Sequence, residues 1–267
     1  MLTEGVAAKI RAFQAKGGLI VADENACPAV MPDILLPSYK RTGKAQEDKA
    51  ALQTMAADLR RELDAFYARY ADSSNPDVVV RMRQYGGTDY LFAVNDNRTF
   101  GDYVGHHGKV MEQGLPSTAT LSLSRKSGFA YDLLNHQPIA AKATPTGLAL
   151  DVALGPGDGR VFMVTQQALA AVRVTAPSQV KLGGQAKVDV RVVDAAGKPL
   201  TAVVPVQVEI LDAQGQPAEL SGYYGARDGV LSVTLEIAAN DPVGQWTVRA
   251  TELASGRQSE RKFAVVK

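Results

Sequence analysis

The protein is a chain of 267 residues, of which 46% are hydrophobic and 21% are charged. This length is typical of two or three domains, and the composition excludes a disordered chain, which could not bury enough surface to offset its conformational entropy. The 29 Lys and Arg residues exceed the 28 Asp and Glu residues by one. No positive field therefore attracts phosphate backbones or anionic lipid, and we expect no nucleic-acid partner.

The sequence predicts neither a disulfide, a signal peptide nor a membrane span. Cys27 has no second cysteine to pair with, and it lacks the neighbouring His and carboxylate that activate a thiol. Residues 1–16 alternate charged and hydrophobic residues, and no apolar run reaches the roughly 18 residues that a bilayer requires. Because the chain opens on a helical pattern with no preceding strand to cover, we expect the parent protein to continue upstream of Met1.

The N-terminal segment predicts a helix followed by a buried strand. A helical face begins after the candidate N-cap Thr3 and ends at Gly17-Gly18. The apolar run 19–22, closing on Asp23-Glu24, is typical of a strand that is buried on both faces of a parallel sheet. One helix and one strand cannot form such a sheet, so we interpret the segment as the tail of an upstream α/β domain.

A loop and one long helix are predicted next. Three prolines and Gly43 interrupt both regular periodicities over residues 25–46, which indicates a loop. From Gln46 to Tyr70, apolar residues recur at three- and four-residue steps with charges between them, so this stretch is predicted to be a single helix. The breaker cluster 72–76 ends it.

After Pro76 the hydrophobic period changes from that of a helix to that of a strand. Alternation over 78–83, the turn Gly86-Gly87 and the apolar run 90–95 predict a hairpin. Further strands are predicted at 118–123, 129–132, 148–154 and 161–165. Short strands separated by glycine, proline and asparagine turns are typical of an antiparallel sandwich.

A second series of strands begins at Val172. The predicted strands are 172–175, 186–194, 203–211, 230–237, 245–251 and 262–266. Apolar and polar residues alternate along them, so each strand is expected to have one buried and one solvated face. Trp246, inside such a strand, is expected to anchor the core. The length and pattern are those of an immunoglobulin-like domain.

The sequence thus predicts a mainly β protein, with two antiparallel β-sandwich domains preceded by a short α/β and helical segment. The expected domains are residues 1–75, the α/β remnant with its long helix, residues 76–168, the first sandwich, and residues 169–267, an immunoglobulin-like sandwich.

Two parts of the chain resemble the C-terminal region of β-galactosidase-like glycoside hydrolases. Residues 12–23 resemble the closing helix and strand of the amidotransferase-like domain that follows their barrel. Residues 78–97, 130–134 and 159–162 resemble their terminal β-sandwich. This resemblance implies an accessory region without the catalytic carboxylates, which belong to the barrel, and its partners would be the upstream domains of the same polypeptide.

The last domain resembles bacterial immunoglobulin-like and macroglobulin-type modules, through residues 192–200 and 243–249. Modules of this kind imply a multidomain protein outside the cytoplasm, in the periplasm, on the cell surface or secreted.

Several carboxylates are candidates for glycosidase chemistry, which needs two carboxyl groups roughly 5 to 10 Å apart. Asp23-Glu24 follow a strand at the end where α/β sites often lie, but a solvated strand end also explains them. Asp96, Asp102 and Glu112 lie in a long polar connection, and we interpret them as turn residues that face solvent. We therefore expect no catalytic residue in this chain, and no enzyme activity of the chain alone.

Histidines and one glycine-rich segment are further candidates for a site. His106-His107 could serve as metal ligands or bases, but adjacent strand residues point to opposite faces and no companion ligand is suitably spaced. No metal and no cofactor are expected. His136 is interpreted as a turn residue. The glycine-rich segment 155–159 lies between two strands without a following helix, so it is predicted to be a hairpin loop rather than a phosphate site.

Exposed tyrosines are the remaining candidate, because aromatic rings can stack on sugars. Tyr103 belongs to an aromatic group near the early loops of the first sandwich, together with Tyr85, Tyr90 and Phe100. Tyr223-Tyr224 are placed on a glycine-flanked loop of the second sandwich. Packing in a core or at a sheet edge is the alternative for each of these residues.

Three functional hypotheses follow. The leading one is a non-catalytic accessory region that props, spaces or oligomerises an upstream glycoside-hydrolase-like domain. One alternative is a carbohydrate-binding module that uses Tyr103, Tyr223 and Tyr224. The other is a cell-surface scaffold that contacts other proteins.

Overall fold

The computed structural model describes residues 2–25, 30–99, 103–104, 109–110 and 112–267, and only the backbone of 103–104 and 109–110. The chain divides into two compact units. Unit 1 is Met1–Arg69 with Arg98–Gln113, and unit 2 is Tyr70–Asn97 with Gly114–Lys267. The described residues form two helices and several largely antiparallel sheets, which confirms the predicted mainly β class.

The first elements in chain order are α1 (Glu4–Gln14), β1 (Val21–Asp23), β2 (Ile34–Leu36) and α2 (Ala45–Leu63). The next are β3 (Ala71–Ser73), β4 (Val78–Tyr85), β5 (Thr88–Asn95), β6 (Tyr103–Val104), β7 (Lys109–Val110), β8 (Ser117–Leu123), β9 (Phe129–Asp132), β10 (Gln137–Ile139), β11 (Lys142–Thr144), β12 (Gly147–Leu154) and β13 (Gly159–Thr165). The last are β14 (Ala171–Thr175), β15 (Gln179–Lys181), β16 (Gln185–Val193), β17 (Val203–Leu211), β18 (Gly222–Arg227), β19 (Val230–Glu236), β20 (Gly244–Glu252) and β21 (Gln258–Val266).

In unit 1 the predicted parallel strand exists, but it is short and only partly buried. β1 pairs in parallel with β2, Val21 opposite Ile34. Val21 is 36% exposed, so the prediction of a strand buried on both faces is wrong. β2 lies inside the stretch predicted to be a loop, because three residues between prolines are too few to show a period.

The long helix ends at Leu63, before the predicted end at Tyr70. Phe66 continues the helical spacing but is exposed in the turn that follows. The start of α2 is held by Asp48, whose carboxylate accepts hydrogen bonds from the Tyr39 hydroxyl at 2.6 Å and the Thr42 amide at 2.9 Å. These bonds, led by the one from Tyr39, lower the pKa of Asp48 to about 2. A carboxylate in the first turn thus ties the preceding loop to the helix.

The first sandwich consists of two sheets in unit 2. One has the strand order β10-β9-β13-β5-β4 and the other has the order β11-β12-β8-β3. All the pairings are antiparallel, and two of them place Leu150 opposite Leu121 and Phe162 opposite Leu91. These four side chains are at most 2% exposed and belong to the core between the sheets. The segment 155–159 joins β12 to β13, which lie in different sheets and do not pair, so the prediction of a hairpin loop there is wrong and the segment connects the two sheets.

The second sandwich is built from eight strands in the order β14-β16-β19-β18-β17-β20-β21-β15. β18 and β19 share the single pair Arg227–Val230, so the chain passes there from one layer to the other. The layers face each other, because β14 contacts β20 and β21. Trp246 is 2% exposed, its ring centroid lies 5.9 Å from that of Phe263, and its Nε1 donates to the Pro242 carbonyl oxygen. Trp246 is therefore a core residue, as predicted.

No helix among the described residues combines the length and the hydrophobicity that crossing a bilayer requires.

Candidate functional site

The two sandwiches of unit 2 meet at a junction built from side chains of the first and backbone of the second. The Tyr90 hydroxyl in β5 accepts the Val203 N–H at 2.7 Å and donates to the Val203 carbonyl oxygen at 2.9 Å. The Thr88 hydroxyl donates to the Thr201 carbonyl oxygen at 2.9 Å. Burial raises the pKa of Tyr90, which keeps the phenol protonated and able to donate. Two side chains of one strand thus fix the start of β17.

Apolar packing reinforces this junction. Tyr131 and Met163 lie in β9 and β13 of the first sandwich, yet they belong to the core cluster of the second. They are 4% and 0% exposed. The Tyr131 hydroxyl accepts the N–H of Leu169 at 2.7 Å, so the connector between the sandwiches is tied to β9. The second core therefore extends onto the outer face of the first sandwich.

Polar contacts close both ends of the junction. The Tyr85 hydroxyl donates to the Asp228 carboxylate at 3.0 Å, and the Arg227 guanidinium lies 5.7 Å from the centre of the Tyr85 ring. At the other end, His136 Nδ1 lies 2.7 Å from the Leu253 carbonyl oxygen. Since a carbonyl only accepts, Nδ1 carries the proton. His136 is in a turn, as predicted, and that turn holds the last hairpin of the second sandwich.

A cavity of about 220 Å³ opens beside Thr88 and Thr201 at the junction, and its wall also includes Thr165 and Gln167. The hydroxyls of Thr88 and Thr165 already donate to the carbonyls of Thr201 and Gln167. The volume is below the roughly 300 Å³ at which ligand pockets begin. The cavity has room for ordered water, which would add bridges between the two sandwiches.

Three buried carboxylates that the sequence did not single out lie in unit 2. Asp89, Asp132 and Glu252 are at most 2% exposed. Asp89 accepts hydrogen bonds from Tyr70 at 2.9 Å and from Arg125 at 2.9 Å. Catalytic acids often lie in such buried surroundings.

The surroundings of these carboxylates are those of structural groups. Asp132 accepts the backbone N–H groups of Leu134 and Asn135, at 2.9 and 3.1 Å, and pairs with Arg160 at 2.7 Å. Burial alone would raise the pKa of Asp132, but the hydrogen bonds outweigh it and hold the pKa below its ordinary value. An ionised, fully paired carboxylate cannot donate a proton to a leaving group.

Glu252 organises the β20–β21 hairpin in the same way. Its carboxylate accepts the N–H groups of Ala254, Ser255 and Arg257, each at 2.9 Å, and the Ser255 hydroxyl also donates to it. Leu253, whose carbonyl meets His136, lies inside this loop. Glu252 therefore shapes the loop that forms one end of the junction.

The carboxylates considered from sequence lie near or at the surface where they are described. Asp23 accepts the Asn25 N–H at 3.1 Å, and Glu112 pairs with Arg98 at 2.9 Å. Glu24 is exposed. Asp102 lies outside the described residues.

The structure places Tyr223 and Tyr224 in strand β18, so the prediction of a loop there is wrong. Their side chains point to opposite faces, as strand geometry requires. Tyr223 is 74% exposed, whereas Tyr224 packs against the core of the second sandwich and donates to the Leu220 carbonyl oxygen at 2.6 Å. The two rings therefore cannot form one platform.

Other candidates lie outside the described residues. These are the side chain of Tyr103, and also Cys27, Phe100 and His106-His107. In the part of the chain that is described, no three His, Cys, Asp or Glu side chains are grouped as metal ligands would be.

Comparison with known proteins gives distant likenesses in structure. No protein-family model and no curated protein matches the chain. It is similar to the adhesin InvE of Yersinia pseudotuberculosis, at 13% identity and a TM-score of 0.30, over 73% of this chain and 60% of that one. It is similar to a β-glucuronidase from glycoside hydrolase family 2, at 16% identity and a TM-score of 0.31, over 72% of this chain and 20% of that one.

A superoxide reductase (neelaredoxin) of Ignicoccus hospitalis also aligns, at 16% identity and a TM-score of 0.25, over 36% of this chain and 81% of that one. Glycoside hydrolases of family 2 are thus among several unrelated kinds of weak structural neighbour, and the chain spans one fifth of the length of the β-glucuronidase.

Proposed function

We propose that the chain is a non-catalytic accessory region in which unit 2 is a rigid spacer. In this role the two sandwiches keep one fixed distance and orientation relative to each other. Their predicted bounds are 76–168 and 169–267. Whatever is attached to either sandwich is then held at a defined place relative to the other.

The two-way hydrogen bond between Tyr90 and Val203 carries this proposal. A hydroxyl that both accepts from and donates to one residue's backbone fixes direction as well as distance. Domains within one chain usually move relative to each other unless their interface is large and hydrophobic. Here Tyr131 and Met163 supply that hydrophobic part, because the second core surrounds them.

The proposed parent is a glycoside-hydrolase-like protein outside the cytoplasm. Support comes from the sequence resemblance of residues 78–97 to the terminal sandwich of β-galactosidase-like hydrolases. The non-catalytic role is supported by Asp132 and Glu252, buried carboxylates whose oxygens are occupied by hydrogen bonds within their own loops.

Pulsed electron spin resonance on the full chain tests the rigid spacer. Spin labels are placed at the exposed positions of Ser122→Cys in β8 and Thr234→Cys in β19, in a Cys27→Ser background. The expected distance distribution has a single peak no wider than the labels themselves produce. A broad or two-peaked distribution would contradict the proposal, because it would show a hinge at residues 166–170.

A panel of chromogenic glycosides tests the non-catalytic part. We expect no turnover by the full chain above the rate in buffer. Hydrolysis that is abolished by changing one carboxylate would overturn this part and leave the rigid spacer untouched.

A further inference from the structure

The outward face of the second sandwich carries a cross-strand row of four uncharged polar side chains. Tyr223 in β18 lies opposite Gln207 in β17, Gln207 lies opposite Thr251 in β20, and Thr251 lies opposite Gln258 in β21. We call these four residues the Tyr223 row. Adjacent strands are about 4.8 Å apart, so the row extends for about 14 Å.

The face that carries the Tyr223 row is the one turned away from the core. On the same strands, Val206, Val208 and Ala250 alternate with the row and are 0% exposed. Tyr223 is 74% exposed and Gln258 is also exposed, while Gln207 and Thr251 are partly so. A large aromatic ring thus stands in water beside the Gln207 amide, and the Thr251 hydroxyl and the Gln258 amide follow further along the row.

The neighbourhood leaves the ring of Tyr223 open. Gly225, two residues further along β18 on the same face, has no side chain to cover the ring, and it lies opposite Pro205 of β17. A flat apolar surface is therefore continuous with the polar groups of the row. Such a surface can stack on the apolar face of a pyranose, with the amides placed to bind its hydroxyls.

The adjacent row argues against an anionic ligand. Two residues along the same three strands, Arg249 lies between Glu209 and Glu260, with nitrogen–oxygen distances of 3.6 and 3.1 Å. The charge of Arg249 is thus balanced from both sides. A phosphate or acidic sugar would have to displace one of these carboxylates, whereas a neutral sugar would not.

We infer that the Tyr223 row is a binding site for a neutral oligosaccharide. Tyr223 stacks on one sugar ring, and Gln207, Thr251 and Gln258 bind hydroxyls of the rings that follow across the sheet. Tyr224 has no part in this site, because its ring packs against the core. The open sheet face favours an extended, linear glycan over a single monosaccharide.

An array of neutral oligosaccharides, with soluble β-glucan, xylan and galactomannan as probes for titration calorimetry, tests this inference on the full chain. We expect binding to at least one linear neutral glycan. Tyr223→Ala should weaken it by about tenfold or more, and Gln207→Ala and Gln258→Ala should each weaken it by a smaller factor. Tyr223→Phe should keep most of the affinity, since the ring remains.

The matched control is Tyr67→Ala, which removes another exposed tyrosine, 62% exposed, from unit 1. It should leave the affinity unchanged. An array without any neutral hit, binding to charged glycans alone, or affinity that survives Tyr223→Ala would each overturn the inference. Because the row lies within one sandwich, the inference stands apart from the rigid spacer, and a hinge at the junction would not affect it.

Discussion

In unit 2, single buried side chains determine the conformation of the loops next to them. Asp132 ends β9, receives two backbone N–H groups of the following turn and pairs with Arg160. That turn contains His136, which reaches Leu253 in the second sandwich. One carboxylate therefore shapes a loop that serves the junction.

Asp132→Asn should lower the free energy of unfolding by about 2–3 kcal/mol, because the amide cannot satisfy all of the N–H donors and Arg160 loses its buried carboxylate partner, keeping Asp158. Urea unfolding at about pH 7 measures this change. The matched control, Asp151→Asn, removes an exposed partner of Lys142 and should change little. Equal effects of the two changes would contradict the role given to Asp132.

The same variant has a defined pH dependence. The folded-state pKa of Asp132 is below its ordinary value of 3.8, so the carboxylate stabilises the fold above that value. The contribution is lost as the pH falls through the folded-state pKa. The difference in stability between wild type and Asp132→Asn should therefore be constant near neutral pH and shrink only below 3.8.

Among the elements, β12 depends on a position that excludes every side chain. Gly147 has φ +152°, and a Cβ there would lie 2.0 Å from the Leu123 carbonyl oxygen of β8. Gly157 in the β12–β13 loop also has a positive φ, +64°, but a Cβ there would meet no described atom within 4 Å. Substitutions at the two glycines therefore distinguish two effects: backbone strain is expected at both positions, whereas steric overlap is expected only at Gly147.

We expect Gly147→Ala to cost about 2–3 kcal/mol or more and Gly157→Ala about 1 kcal/mol, since only the first must push two paired strands apart. Thermal unfolding followed by circular dichroism compares the two. If Gly157→Ala proved the more damaging, the close approach of β12 to β8 would be refuted.

Strand alternation predicted many of the elements closely, because one buried face imposes a period of two. The predicted strands 129–132 and 203–211 have the observed bounds. β18 was missed because Gly222 and Gly225 flank and interrupt its apolar residues, which is also typical of a loop. The helix was predicted too long because Phe66 keeps the spacing of α2, although nothing in the sequence reveals that it is exposed.

The junction could not be predicted from the sequence. Tyr90 was identified as one of several aromatic candidates, but its partner Val203 lies 113 residues away. A single sequence contains no signal for a contact at that separation. Tyr131, Asp132 and Glu252 look like ordinary strand residues, and only their burial in the folded chain shows what they bind.

At the scale of the whole molecule, the junction should make two sandwiches unfold as one. Trp246, the only tryptophan in the chain, reports on the second core by its fluorescence. Hydrogen exchange of β8, measured by mass spectrometry, reports on the first. In the wild type we expect both probes to give one urea midpoint.

The double change Tyr90→Phe with Tyr131→Phe should separate the two midpoints, because it removes the hydrogen bonds to Val203 and Leu169. Tyr223→Phe, on the outward face of β18, serves as the control and should keep them coincident. Coincident midpoints in the double variant would show that hydrogen bonds at the junction do not couple the sandwiches.

Tyr131 and Met163 have a consequence for synthesis on the ribosome. Both are made with the first sandwich, but the residues that enclose them belong to strands translated later. Until those strands emerge, the nascent chain presents two large apolar side chains to water and to its neighbours. Between the synthesis of the first sandwich and that of the second, this exposed apolar surface favours aggregation of the nascent chain.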